Sequence, residues 1–207
     1  VCGRYFLRLS PERLQQIFGT ENARQFTPSD NITPLQKSPL IVQRRMGLAR
    51  WGLLPDYAQS DDKALCAKLK NARSETITEK QSFAAAWRKG RRCLIPASGF
   101  FEWPEEKIKG HPPFKIYIPD EDAIAFAGLW AKRDDLVTFT ILTRAASAGL
   151  SDIHSRMPVA FRAQQAQRWF EASPDDALRQ MNHDSIMDWT IELQGDAPAP
   201  VPDLFAA

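Results

Sequence analysis

The chain has 207 residues, 43% of them hydrophobic and 25% charged, with a formal net charge of +2, which suits one globular core. No apolar run approaches the roughly 18 residues of a membrane-spanning helix and no basic segment leads into a hydrophobic stretch as in a secretory signal, so a cytoplasmic protein with no membrane partner is expected. Three cysteines (Cys2, Cys66, Cys93) and three histidines (His111, His154, His183) are scattered without Cys-x-x-Cys or His-x-x-x-His spacing; this argues against a disulfide framework and a structural zinc, and no metal or cofactor is expected.

In chain order, "VCGRYF" reads as a first strand. "SPERLQQIFG" follows as a helix: Ser10 is placed to cap it, Pro11 suits its first turn, Leu14, Ile17 and Phe18 share one face, and Gly19 ends it. "FTPSDNITPLQKSPL" is rich in turn residues and reads as an irregular loop, and "PLIVQRRMGLARWGLLP" as extended structure with a bend. A second helix is signalled by "TEKQSFAAAWRKG", where Thr78 and Gln81 have capping-box spacing and Gly90 marks the stop. From residue 91 the pattern turns to β. "RCLIPA", "GFFEW", "PFKIYI", "AIAFAGLW" and "VTFTILT" are short strand-like runs whose spacing favours antiparallel sheets. "AQQAQRWFEA" and "SPDDALRQM" read as closing helices, "DWTIEL" as a strand, and "GDAPAPVPDLFAA" as a flexible tail. The expectation is an α+β fold, mainly antiparallel sheet with a few flanking helices, as one domain over residues 1–194 with a tail at 195–207.

Charge is uneven along the chain. Residues 1–115 carry 20 Lys/Arg against 11 Asp/Glu, and residues 116–207 carry 7 against 14. This asymmetry points to an anionic partner for one side of the fold, although charge also fluctuates along any chain.

Cys2 raises a chemical question. Inside a chain its nitrogen is an unreactive amide; at a mature N-terminus it is an amine on the carbon next to the one bearing the thiol. Such a 1,2-aminothiol condenses with an aldehyde to an imine, and the thiol then closes a five-membered thiazolidine. No other residue type forms that ring. A terminal amine with a pKa near 8 is about one-tenth free base at neutral pH, so a nearby proton acceptor helps. The other reading of Cys2 is a small buried apolar residue in the first strand.

"CGRY", "NITP", "WGLLP", "NARSET", "RCLIPASGFFEW" and "IHSRMP" occur in this order. Together they resemble the SRAP family, the SOS response-associated peptidase or abasic-site processing proteins, from about Cys2 to Val159. The resemblance implies a barrel-like SRAP fold, loss of the residue before the cysteine, and capture of the ring-opened aldehyde of an abasic site in single-stranded DNA as a thiazolidine. On the matching positions it makes Cys2 the nucleophile through both amine and sulfur, and Asn71 the residue that orients cysteine and deoxyribose. Glu102 becomes the proton-transfer carboxylate, and His154 the imidazole that helps open the sugar and form or reverse the link. These types also suit the chemistry by themselves: imine formation needs one group to take a proton from the amine and another to protonate the leaving oxygen. Read without the family, Glu102 also fits a salt bridge to an arginine, and His154 an ordinary core or surface histidine.

Arg4 and Arg73 are candidates for phosphate contacts, with Arg156 a further one. Asn31 and Pro34 lie in the loop that, by the resemblance, lines the DNA channel. Trp51 and Trp103 read either as platforms for exposed bases, worth about 1–3 kcal/mol each, or as core tryptophans. Thr143 closes the "TILT" strand within expected reach of the site. "WRKGRR" reads equally as a basic patch and as cations complementing a helix end.

Two features depart from the family pattern: "PDYAQ" stands where a "PSW" is common, and Val1 precedes Cys2. Valine is what a GTG start codon gives when read literally. The ending "VPDLF" suits a sliding-clamp peptide, or packs Leu204 and Phe205 back onto the globule. A monomeric, nucleoid-associated protein acting on abasic single-stranded DNA is expected. The alternatives are a thiol peptidase using Cys2 and His154, and a non-catalytic single-stranded DNA binding module.

Overall fold

The computed structural model describes residues 2–106 and 110–194. Its strands are β1 (Arg4–Leu7), β2 (Ser29–Ile32), β3 (Lys37–Val42), β4 (Arg45–Trp51), β5 (Asn71–Arg73), β6 (Arg92–Ala97), β7 (Gly99–Glu102), β8 (Phe114–Tyr117), β9 (Ile124–Arg133), β10 (Leu136–Ala145), β11 (Arg156–Pro158), β12 (Ala160–Arg162) and β13 (Thr190–Leu193). The helices are α1 (Pro11–Phe18), α2 (Lys63–Lys68), α3 (Gln81–Arg88), α4 (Ala148–Ser151), α5 (Ala163–Ala166), α6 (Arg168–Glu171) and α7 (Pro174–His183), and Ser74–Thr76 form a 3-10 turn. No helix among the described residues is long and apolar enough to cross a membrane.

The strand order β10-β4-β3-β6-β9, closed by β9 pairing back onto β10, makes a five-stranded barrel. Four of its five seams are antiparallel; β4 and β10 run parallel, with Thr138 opposite Arg50 and Phe139 opposite Trp51. Closure removes the free edges that an open sheet of these strands would expose. A second, fully antiparallel sheet has the order β13-β8-β7-β1-β2. The two layers meet through aromatic rings. Tyr5 of β1 stands edge-on to Trp51 at 5.2 Å and to Phe126 at 5.7 Å, and Trp51 stacks on Phe139 at 6.5 Å. The Tyr5 hydroxyl donates to Ser38 Oγ at 2.5 Å, so the ring is buried without leaving its polar end unsatisfied.

Local signals hold where the partner is local. Ser10 Oγ accepts from Arg13 N at 3.2 Å, and Gly19 closes α1 in the left-handed region. At α3 the capping box does not form: Lys80 is the N-cap and gives no side-chain bond. The segment read as a loop holds β2, because its backbone pairs with β1 and that pairing overrides the turn preference of Asp30 and Asn31. The single closing helix read over residues 163–172 is two short ones, α5 and α6. Val1 and the segment 195–207, including Leu204 and Phe205, lie outside the described residues.

Barrel packing leaves no room at Gly128 of β9. A Cβ there would come within 2.5 Å of Ile95 Cδ1, 2.6 Å of the Thr140 carbonyl oxygen and 3.0 Å of Cys93 Sγ. Since backbone of the neighbouring strand cannot retreat as a side-chain tip can, Gly128→Ala should lower stability by about 1–3 kcal/mol, read as a lower urea midpoint with an unchanged slope.

Candidate active site

Antiparallel pairing of β1 with β7 sets Arg4 opposite Phe101, so the residues before Arg4 run beside those after Phe101. Cys2 therefore meets Glu102: the Cys2 nitrogen donates to Glu102 Oε2 at 2.7 Å, in a buried setting. The other carboxylate oxygen, Oε1, accepts from Trp103 N at 3.3 Å. None of the ion pairs among the described residues involves Glu102, so the arginine bridge that the sequence left open is not found there. Glu102 is only 5% exposed and Cys2 fully buried. Burial pushes the Cys2 thiol well above its ordinary value, and the negative charge of Glu102 adds to this; Lys70 opposes it in part. Cys2 has a backbone φ of +33°, in a region that a non-glycine residue rarely occupies.

Asn71 approaches from the barrel. β5 lies parallel to β10 with Asn71 opposite Ile141, and the Lys70 carbonyl accepts from Trp51 Nε1 at 2.8 Å and from Ile141 N at 3.0 Å. On this fixed backbone, Asn71 Nδ2 donates to the Cys2 carbonyl at 3.1 Å. His154 sits between α4 and β11. Its Nδ1 accepts from the backbone N–H of Arg156 at 3.0 Å, which puts the proton of the neutral ring on Nε2.

Two carboxylates that sequence reasoning passed over bind these segments together. Glu75 receives the Arg156 guanidinium as a fork, at 2.7 and 2.9 Å, while Arg156 Nη2 also donates to the Thr143 carbonyl at 2.7 Å. The turn following Asn71 is thereby fixed to the strand following His154. Glu105 accepts from Ser155 N at 3.2 Å and Ser155 Oγ at 3.1 Å, and its own N–H donates to the Ile153 carbonyl at 2.9 Å. That fixes the segment after Glu102 to the loop carrying His154. Both acids stand inside or just after quoted motifs, yet nothing local says which partner each one meets.

The DNA-contact candidates divide. Arg4 lies over the Trp103 ring, its guanidinium carbon 5.0 Å from the centroid, so these two meet beside Glu102. Arg73 is exposed, and Asn31 and Pro34 are half-buried on β2 and the turn after it. Two expectations need correction. Trp51 is fully buried between Tyr5 and Phe139 and cannot receive a base. Thr143 is 1% exposed and turns its hydroxyl to the Ala72 carbonyl at 3.3 Å, behind Asn71. Arg156 is committed to Glu75 and Thr143. In "WRKGRR", Lys89 and Arg91 both pair with Asp56, and Arg91 also lies 5.4 Å from the Trp130 centroid. Tyr57 of "PDYAQ" is exposed, its hydroxyl 2.9 Å from Ser82 Oγ.

The family model described as SOS response associated peptidase (SRAP) matches residues 1–192. The abasic site processing protein YoqW of Bacillus subtilis (strain 168) is 33% identical over 188 residues, spanning 85% of this chain and 83% of that protein. The abasic site processing protein YoaM of the same organism is 34% identical over 190 residues, spanning 84% and 82%. A crystal structure of a protein from Bacteroides thetaiotaomicron superposes with a TM-score of 0.82 over 93% of this chain and 91% of its own, at 21% identity, which speaks for the fold alone.

The Arg156 fork holds the Glu75 carboxyl below its ordinary value of 4.5. A group more acidic folded than unfolded contributes stability above the unfolded value and loses it as pH falls through the folded one. Glu75→Gln should therefore flatten the fall of the urea midpoint between about pH 5 and pH 3. Equal slopes for variant and parent would contradict the clamp.

Proposed function

The chain belongs to the SOS response associated peptidase (SRAP) family, and on that premise we propose that it processes abasic sites in single-stranded DNA by covalent capture on Cys2. The observation carrying this reading is the buried bond from the Cys2 nitrogen to Glu102, with Asn71 holding the Cys2 carbonyl. A buried carboxylate costs several kcal/mol unless it is paired; here its partner is the nitrogen that would become an amine if Cys2 were the mature N-terminus. Freeing that amine also removes the strained φ at Cys2, since a first residue has no preceding carbonyl.

The chemistry then follows from the groups present. Glu102 takes a proton from the Cys2 ammonium, and the amine adds to C1′ of the ring-opened deoxyribose, giving a carbinolamine. Glu102 returns that proton to the carbinolamine hydroxyl, which leaves as water with His154 Nε2–H donating a hydrogen bond to it; the iminium gives its N–H proton back to Glu102, and an imine remains. Sγ adds to the imine carbon, its proton passing to the nitrogen, so the thiazolidine forms with net loss of one water. Asn71 keeps the Cys2 backbone fixed while the ring closes. Arg4, Arg73 and Trp103 suit phosphate and base contacts around the lesion.

The thiol favours this route over a peptidase. A cysteine peptidase attacks through a thiolate whose pKa is lowered by its surroundings, whereas burial and Glu102 raise Cys2. A purely binding module has no use for a buried carboxylate on that nitrogen.

Intact-mass spectrometry tests the reading. Protein that begins at Cys2, mixed with an abasic single-stranded oligonucleotide, should gain the mass of the oligonucleotide minus one water, in an adduct that survives denaturation. Cys2→Ala should form none. Glu102→Gln should slow adduct formation by about 10²–10⁴-fold, the usual worth of a positioned general base. A processed wild-type protein that forms no adduct would sink the proposal.

A further inference from the structure

Glu105 stands three residues after Glu102, with Pro104 between them. Both of its carboxylate oxygens accept from one residue, Oε2 from Ser155 N at 3.2 Å and Oε1 from Ser155 Oγ at 3.1 Å. Its backbone N–H donates to the Ile153 carbonyl at 2.9 Å. Glu105 thus grips the residue on either side of His154, while its own backbone continues from the carboxylate that meets the Cys2 nitrogen. Proline holds its φ near −65°, so the connection from Glu102 to Glu105 is short and stiff.

Other bonds of the His154 loop are local. Ile153 N and His154 N both donate to the Leu150 carbonyl at 3.0 Å, Ala146 N donates to the Ser155 carbonyl at 3.1 Å, and Arg156 N donates to His154 Nδ1 at 3.0 Å. These bonds shape the turn within residues 146–156; the Glu105 contacts tie it directly to the segment carrying Glu102. The two donors of Ser155 hold the Glu105 carboxyl below its ordinary value of 4.5, so at neutral pH it is ionised and offers acceptors alone.

This tie bears on the chemistry. In the mechanism above, Glu102 handles the protons of the nitrogen and His154 Nε2–H meets the hydroxyl that leaves. Both groups must face the same carbon at the same time, yet Glu102 ends β7 and His154 lies between α4 and β11. A misplacement of about 1 Å between such groups costs up to about 10²-fold in rate.

We propose that Glu105 is a positioning residue: through Ser155 it fixes the His154 imidazole relative to Glu102 for the loss of water. The assignment rests on the covalent-capture reading above and extends it to a residue outside the reacting groups. Glu105 and Ser155 are both exposed, so their contact can be removed without opening the core.

The test is the rate of adduct formation with an abasic single-stranded oligonucleotide, measured over a range of oligonucleotide concentration. E105A should lower the maximal rate by about 10–100-fold with an unchanged thermal midpoint. The half-saturating concentration should stay the same, because Glu105 acts on an imidazole and not on DNA. E105Q should recover most of the rate, since its carbonyl oxygen accepts from Ser155 N while its amide donates to Ser155 Oγ. The decisive comparison is made in the H154A background. There E105A should change nothing further, as its effect passes through the imidazole. A further loss in that background, a wild-type rate for E105A, or an E105Q as slow as E105A would overturn the proposal. Wild-type protein that begins at Cys2 and forms no adduct would instead overturn the covalent-capture reading, and this assignment with it.

Discussion

The site is organised around one buried hydrogen bond, from the nitrogen of Cys2 to the carboxylate of Glu102. A carboxylate removed from water needs its lone pairs met, and here backbone nitrogens meet them. That requirement reaches outward. β1 must run antiparallel to β7 in the observed register, because a one-residue slip would turn Glu102 to the other face of its sheet. β1 must also be anchored, and the burial of Tyr5 against Trp51 and Phe126 provides the anchor. The aromatic contact between the two layers is thus what holds Cys2 against Glu102.

Around this bond, three segments far apart in sequence are tied by charge-assisted contacts rather than by apolar packing. Arg156 joins the turn after Asn71 to the strand after His154, and Glu105 joins the strand end after Glu102 to the loop of His154. Such forks fix orientation as well as distance. The arrangement engages the Arg156 guanidinium with Glu75 and Thr143, while the Arg156 backbone N–H donates to His154 Nδ1. It also leaves Arg4 over the Trp103 ring, next in the chain to Glu102, as a cation and an aromatic ring held together beside the buried carboxylate.

Much of this is legible in the residues alone, and for definite reasons. The α1 caps lie within a few residues of the helix they close, so Ser10 and Gly19 can be assigned from spacing. The strands after residue 91 are readable because β-branched and aromatic residues recur between turn residues, whatever they pair with. Cys2, Asn71, Glu102 and His154 can be named from motif and chemistry together. Trp51 is different. A tryptophan in a Gly-rich segment suits a stacking platform and a core equally well, and only the closure of β4 against β10 buries it. β2 escapes sequence reading because Asp30 and Asn31 favour turns, and no local signal reveals that β1 will pair with that stretch.

By itself, then, the sequence determined the chemistry on offer: an aminothiol in prospect, a carboxylate in an apolar strand, an imidazole, and strand and helix segments punctuated by caps and turns. Those properties depend on residue type and near neighbours. Only the tertiary structure decided which nitrogen the carboxylate meets, which arginine pairs with Glu75, and which tryptophan is buried in the core. Each of these depends on strand register and barrel closure, which bring together residues tens of positions apart, and the cooperative packing that selects such a register is not encoded in any single stretch of the chain.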